Sequence, residues 1–143
     1  MSVTYKELLD KAIEVSDLSY SPYSCFPVGA SLLAEKDGKE EIFVGCNIEN
    51  SSYSLCLCAE RAAVAQAVTK GYKNFKAVAI IAKNLKTCNP CGACLQVLCE
   101  FSTDMDIILE DNNGNPLVKN IKDFLPNMFT PEQLKRNSSL FNK

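Results

Sequence analysis

The chain has 143 residues, 47% of them hydrophobic and 22% charged, and a formal net charge of −2. That length suits one domain able to bury its own core, so 1–143 is taken as a single domain, and the ordinary composition excludes a disordered, collagenous or coiled-coil chain. The acidic balance argues against a polyanionic partner, so no nucleic acid is expected, and eight Cys with no His remove the commonest general base and the commonest zinc ligand from any mechanism.

Thr4-Tyr5-Lys6-Glu7 carries the pattern of a capping box. Behind it Leu8, Leu9, Ala12, Ile13 and Leu18 recur at helical spacing, which predicts an amphipathic helix from about Tyr5 to Ser19, ended by Tyr20-Ser21-Pro22-Tyr23. Val28 to Glu35 and Glu41 to Cys46 read as strands joined by the Lys36-Asp37-Gly38 turn into a hairpin. Asn47 to Leu57 is polar and irregular. Ala59 to Thr69 is Ala-rich and reads as a helix closed by Gly71. Phe75 to Ala82 has the apolar, β-branched character of a buried strand. Pro90 opens a further helix through about Phe101. Asp106 to Glu110 and Leu117-Val118 are strands on either side of an Asp111-Asn112-Asn113-Gly114 turn. Thr130-Pro131-Glu132-Gln133 starts a last helix, and the tail 135–143 is polar. The order α-β-β-α-β-α-β-β-α, with strand–helix–strand units in its second half, predicts an α/β three-layer sandwich with a mixed five-stranded sheet.

No charged segment followed by a long apolar run stands at the N-terminus. The apolar stretch Ala77 to Ala82 is far short of the ~18 residues of a membrane span, so no membrane partner is expected. The expected compartment is the cytoplasm, where thiols stay reduced and serve as ligands or core groups.

Five of the eight cysteines cluster: Cys56 and Cys58, then Cys88, Cys91 and Cys94. Cys91 and Cys94 form a C-x-x-C whose members share one helix face. Both clusters fall at predicted helix starts, where free N–H groups and the dipole favour thiolates. Cys58 and Glu60 lie two apart and serve one site only beyond the helix tip, where a second tip bearing Cys91 and Cys94 can meet it. Three thiolates would then hold Zn²⁺ and leave one coordination position for water. Arg61 would donate hydrogen bonds that offset the excess negative charge, and Glu60 would take the water's proton. Spacing alone leaves rivals open: a closed structural site with Cys56 as fourth ligand, Cys88 replacing any member, metal-free core thiols, or a redox C-x-x-C. Cys25, Cys46 and Cys99 read as buried thiols.

Cys58-Ala59-Glu60-Arg61 with Pro90-Cys91-Gly92-Ala93-Cys94-Leu95-Gln96-Val97 resembles the zinc-dependent cytidine deaminases. Phe26-Pro27-Val28-Gly29-Ala30, Gly45-Cys46-Asn47-Ile48-Glu49-Asn50, Phe124-Leu125-Pro126 and Phe129-Thr130-Pro131-Glu132 follow the same family in the same order, so the likeness spans roughly 5–134 and points to its small, homotetrameric free-nucleoside type. The resemblance implies a cytidine deaminase-like fold and Cys58, Cys91 and Cys94 as ligands of one zinc ion per subunit. It implies hydrolytic deamination of cytidine and 2′-deoxycytidine in pyrimidine salvage, with Glu60 passing a proton from water to ring N3 and then to the leaving ammonia. It places the Ala59 N–H on the pyrimidine, Phe26 against the base, and Asn47 and Glu49 on the ribose hydroxyls. It lets Ser51, Tyr53 and Phe129 reach a neighbouring subunit's site. Leu95 stands where the family commonly has Arg, which throws more of the charge balance onto Arg61, and Cys56 stands where it often has a small residue. Other function classes are a deaminase of an aminated nucleoside antibiotic, a zinc-stabilised binding module, and an editor of RNA or single-stranded DNA, for which no basic stripe is present.

Overall fold

A computed structural model describes residues 2–138. The end of the polar tail expected over 135–143 lies outside the described residues. Helix α1 (Tyr5–Ser16) starts on the capping box: the Thr4 hydroxyl accepts from the Glu7 N–H at 3.1 Å, and the Glu7 carboxylate accepts from the Thr4 N–H at 3.0 Å. It ends at Ser16, short of the predicted Ser19. The next residues turn with i→i+3 bonds, and Tyr20 leaves to pair with Ile48. Leu18 is therefore 76% exposed and Ile13 lies at the helix margin, while Leu8, Leu9 and Ala12 are fully buried.

Strands β1 (Val28–Lys36) and β2 (Lys39–Cys46) form the predicted hairpin, longer at the turn than expected. Asp37 and Gly38 both take positive φ, at 53° and 79°, as a tight hairpin turn requires. Helix α2 (Ala59–Thr69), strand β3 (Asn74–Ala82), helix α3 (Gly92–Cys99) and strands β4 (Asp106–Glu110) and β5 (Pro116–Asn120) follow. A short helix α4 (Ile121–Phe124) comes next. Its four residues are too few for a helical periodicity to show in the sequence. Its signal is the Asn120 cap, which accepts from the Lys122 N–H while Asp123 accepts from the Asn120 N–H. Helix α5 (Pro131–Ser138) begins where Pro131 predicts.

The sheet order is β2-β1-β3-β4-β5, parallel between β3 and β4 and antiparallel elsewhere. Alternation divides the core between its two faces. Ala30, Leu32 and Phe43 join Ala63 and Ala67 of α2 and Leu95 and Leu98 of α3 on one face. Leu33, Ala77, Ala79, Ile81 and Ile108 meet Leu8, Leu9 and Ala12 of α1 on the other. A register shift between β1 and β3 puts Phe75 and Val78, three residues apart, on the same face. The predicted three layers and mixed five-stranded sheet are thus present.

The register also sets where the loops leave. Gly29 near the start of β1 pairs with both Cys46 at the end of β2 and Ile81 near the end of β3. The connections into α2 and α3 therefore depart from the same end of the strands, so the N-termini of both helices meet there. Gly45 allows this closeness: a Cβ on it would stand 2.5 Å from the Ala59 carbonyl oxygen and 2.5 Å from the Ala63 nitrogen. Because both are backbone atoms, Gly45→Ala forces α2 outward and is expected to cost about 1–3 kcal/mol. Chemical denaturation checks this, and an unchanged midpoint would contradict the contact.

Candidate metal and active site

Cys58 is the N-cap of α2 and Cys91 the N-cap of α3, both with extended backbone, and Cys94 lies in the first turn of α3. The sequence reading put Cys91 inside a helix begun at Pro90; the structure starts that helix at Gly92. A cap position lets the sulfur lie over the free N–H groups of the first turn, and the Cys91 sulfur accepts from the Cys94 N–H at 3.5 Å. The sulfurs of Cys58, Cys91 and Cys94 all lie within 4.8 Å of one another. At the tetrahedral angle, two metal–sulfur bonds of about 2.3 Å set their sulfurs about 3.8 Å apart, inside that limit. A triad of soft thiols with no carboxylate in the cluster fits zinc by both reach and donor chemistry.

The electrostatics favour the thiolate at Cys58. A hydrogen bond from the Cys94 thiol, then Arg61, holds the Cys58 thiol down at about 5, against the opposing effect of burial. The Arg61 Nη2 donates to the Cys58 sulfur at 3.2 Å. Cys94 is pushed up by the same bond to Cys58 and by burial, so in the metal-free pair the proton rests on Cys94. Arg61 is thus the cation on the cluster. Leu95 is buried in the apolar core and offers no charge. Arg61→Gln is expected to weaken zinc binding about 10–100-fold, the usual effect of removing a ligand's hydrogen-bonding partner. Competition with a chromogenic chelator measures this, and unchanged affinity would contradict it.

A cavity of about 230 Å³ opens beside the triad, with Asn47, Glu49, Cys58, Ala59, Glu60 and Cys91 in its wall. Glu60 is 4% exposed, and burial pushes its carboxyl above the usual carboxylate range, with the Cys58 charge adding to the rise. The Ala59 N–H heads α2 and has no acceptor within the helix.

Asn47 and Glu49 line the cavity and also brace the 19–28 segment. The Asn47 Oδ1 accepts from the Val28 N–H at 2.9 Å, and its Nδ2 donates to the Phe26 carbonyl at 2.8 Å. The Glu49 carboxylate accepts from the N–H groups of Tyr23 and Ser24 at 2.9 and 3.0 Å and from the Ser24 hydroxyl. These bonds hold its carboxyl below the usual range.

Four residues implied by the resemblance stand outside that wall. Phe26 is half-buried just before Val28, which does line the cavity. Ser51 is exposed, Tyr53 is 71% exposed and stacks edge-on against Tyr23 at 5.6 Å, and Phe129 is 57% exposed. Conversely, Asn89 lines the cavity and had drawn no attention in sequence, where nothing but its place before Pro90 marks it. Cys56 and Cys88 also line the cavity. Cys56 takes no part in the triad: its sulfur accepts from the Asn50 N–H at 3.3 Å. Burial pushes the Cys88 thiol up to about 11. Of the thiols expected to be buried, Cys99 is, Cys46 is half-buried and Cys25 is exposed. Cys25 closes a turn on the Ser21 carbonyl with a φ of 53°, which carries it to the surface.

The family described as the cytidine and deoxycytidylate deaminase zinc-binding region matches residues 2–110. This chain belongs to that family of hydrolytic deaminases. A cytidine deaminase of Sporosarcina psychrophila is 43% identical over 130 residues, covering 90% of this chain and 93% of that protein. One of Halalkalibacterium halodurans is 39% identical over 128 residues, covering 89% and 95%. The crystal structure of the cytidine deaminase from Burkholderia pseudomallei matches this fold with a TM-score of 0.79 at 39% identity, over 89% of this chain and 100% of that one. Zinc is the family's metal, and the thiol triad fits it. Among the described residues no helix is long and apolar enough to cross a membrane.

Proposed function

We propose that this protein deaminates cytidine and 2′-deoxycytidine by hydrolysis, releasing ammonia, as a cytoplasmic enzyme of pyrimidine salvage. The observation that carries the reading is a buried carboxyl, Glu60, in the wall of a nucleoside-sized cavity that also contains Cys58 and Cys91 of the thiol triad. Cys58, Cys91 and Cys94 would hold the zinc, which when bound supplies the Lewis acidity that makes water a nucleophile near neutral pH.

The remaining work falls to the chain. Glu60 accepts the proton of the attacking water, delivers it to ring N3 and later passes a proton to the departing amine. Burial suits this double duty, because a carboxyl held above its usual range returns a proton more readily after taking it. The Ala59 N–H, free at the head of α2, supplies a donor to the pyrimidine. Asn47 and Glu49 meet the sugar hydroxyls, and Phe26 flanks the base. Arg61 keeps Cys58 a thiolate.

Tyr53 and Phe129, exposed as they are, and Ser51 suit contacts to a neighbouring copy. The proposal accordingly includes a homotetramer whose sites are completed across subunits. Incubation of the purified, zinc-loaded protein with cytidine is expected to give uridine and ammonia in equal amounts, with the activity abolished by a strong chelator. Absence of uridine from the zinc-loaded protein would refute the reading.

A further inference from the structure

A hydroxyl outside the site already described fills the last acceptor site of Asn47. A carboxamide has two acceptor sites on oxygen and two donor hydrogens on nitrogen. The Val28 N–H takes one oxygen site at 2.9 Å, and the Phe26 carbonyl takes one Nδ2 hydrogen at 2.8 Å. Those two backbone groups fix which way the amide faces. The second oxygen site is taken by Ser19, whose hydroxyl donates to the Asn47 Oδ1. The same hydroxyl oxygen lies 3.1 Å from the Ser21 hydroxyl. What remains is one Nδ2 hydrogen without a protein acceptor among the described residues, on a side chain that lines the cavity.

We propose that Ser19 is a positioning residue that fills the last acceptor site of Asn47, so that this side chain offers a ligand a donor only and reads a sugar hydroxyl through its oxygen. Donation into the amide oxygen also polarises the amide and strengthens the N–H that faces the ligand. Ser19 lies just beyond α1, remote in sequence from the cysteine motifs, and touches no reacting atom. Its effect therefore passes through Asn47 to sugar recognition and leaves the proton transfer at Glu60 aside.

This inference rests on the reading that Asn47 meets a sugar hydroxyl. The test compares wild type, Ser19→Ala and Ser19→Thr on cytidine and on 2′,3′-dideoxycytidine, with thermal midpoints alongside. Ser19→Ala is expected to lower kcat/KM for cytidine about three- to tenfold, the range of one neutral hydrogen bond, with KM moving more than kcat. The dideoxy analogue should change less than about twofold, so the preference for cytidine shrinks. Ser19→Thr, which keeps the hydroxyl, should restore it. An unchanged preference in an active Ser19→Ala protein overturns the inference, and so does an equal loss on both substrates, which would mark Ser19 as a merely structural brace. Wild-type protein that makes no uridine overturns the functional reading and this inference together.

Discussion

Glu60→Gln is expected to lower kcat for cytidine by at least about a hundredfold, within the 10²–10⁴ range of a lost general acid–base group, while zinc content stays at the wild-type level. Gln fills nearly the same volume and keeps a hydrogen-bonding oxygen, so the wall of the cavity survives, but it cannot accept a proton from water. The variant separates chemistry from stability through the sign of the Glu60 shift. Burial raises this carboxyl, so the folded state holds its proton to a higher pH than the unfolded chain does. Its ionisation therefore costs stability as pH rises from the unfolded value through the raised folded one, and the cost vanishes below the unfolded value. Gln has no charge to bury. The thermal midpoint of Glu60→Gln at neutral pH should accordingly equal or exceed that of wild type. For wild type, the acid limb of kcat/KM should lie above 4.5, the ordinary value for Glu, with activity lost as pH falls through it. Near-wild-type turnover, or a limb below that value, would contradict the assigned role.

Cys94→Ala should abolish zinc retention and with it the deamination. Cys94 is fully buried, its thiol hydrogen-bonds to Cys58, and its N–H donates to the Cys91 sulfur, so it sits at the junction of the triad. Its loss leaves two sulfurs. With zinc held by all three as proposed, losing it would also remove linkage stabilisation of about 4 kcal/mol at a thousandfold excess over Kd. Cys56→Ser is the control. Cys56 bonds to Asn50 and stands outside the triad, so zinc should remain. Elemental analysis after dialysis reads both variants. Zinc lost in Cys56→Ser, or kept in Cys94→Ala, would favour a different ligand set.

Much of this site was legible in the residues because its parts are local. Cys58 and Cys91 mark helix starts, and a first-turn Glu60 beside Arg61 is meaningful only if the helix tip is the site. Sequence could suggest that the two tips meet, but not the sheet register that brings them together. Their meeting depends on Gly29 matching Cys46 and Ile81 across the sheet, a register no local pattern contains. The same holds for the choice among thiols. Spacing kept Cys56 and Cys88 in contention, whereas geometry turns Cys56 to Asn50 and leaves the half-buried Cys88 in the cavity wall, outside the triad. Helix ends were the weakest part of the reading. Leu18 continued the apolar period on paper, but Tyr20 drew the chain away to pair with Ile48. Asn47 and Glu49 show the converse: polar residues that line the cavity and brace the 19–28 segment at once.

X-ray absorption at the zinc edge of the loaded protein tests the central claim most directly. Three sulfur scatterers with one lighter scatterer at shorter distance is the result predicted by the Cys58–Cys91–Cys94 triad. Four sulfurs around the ion would close the site and contradict the account.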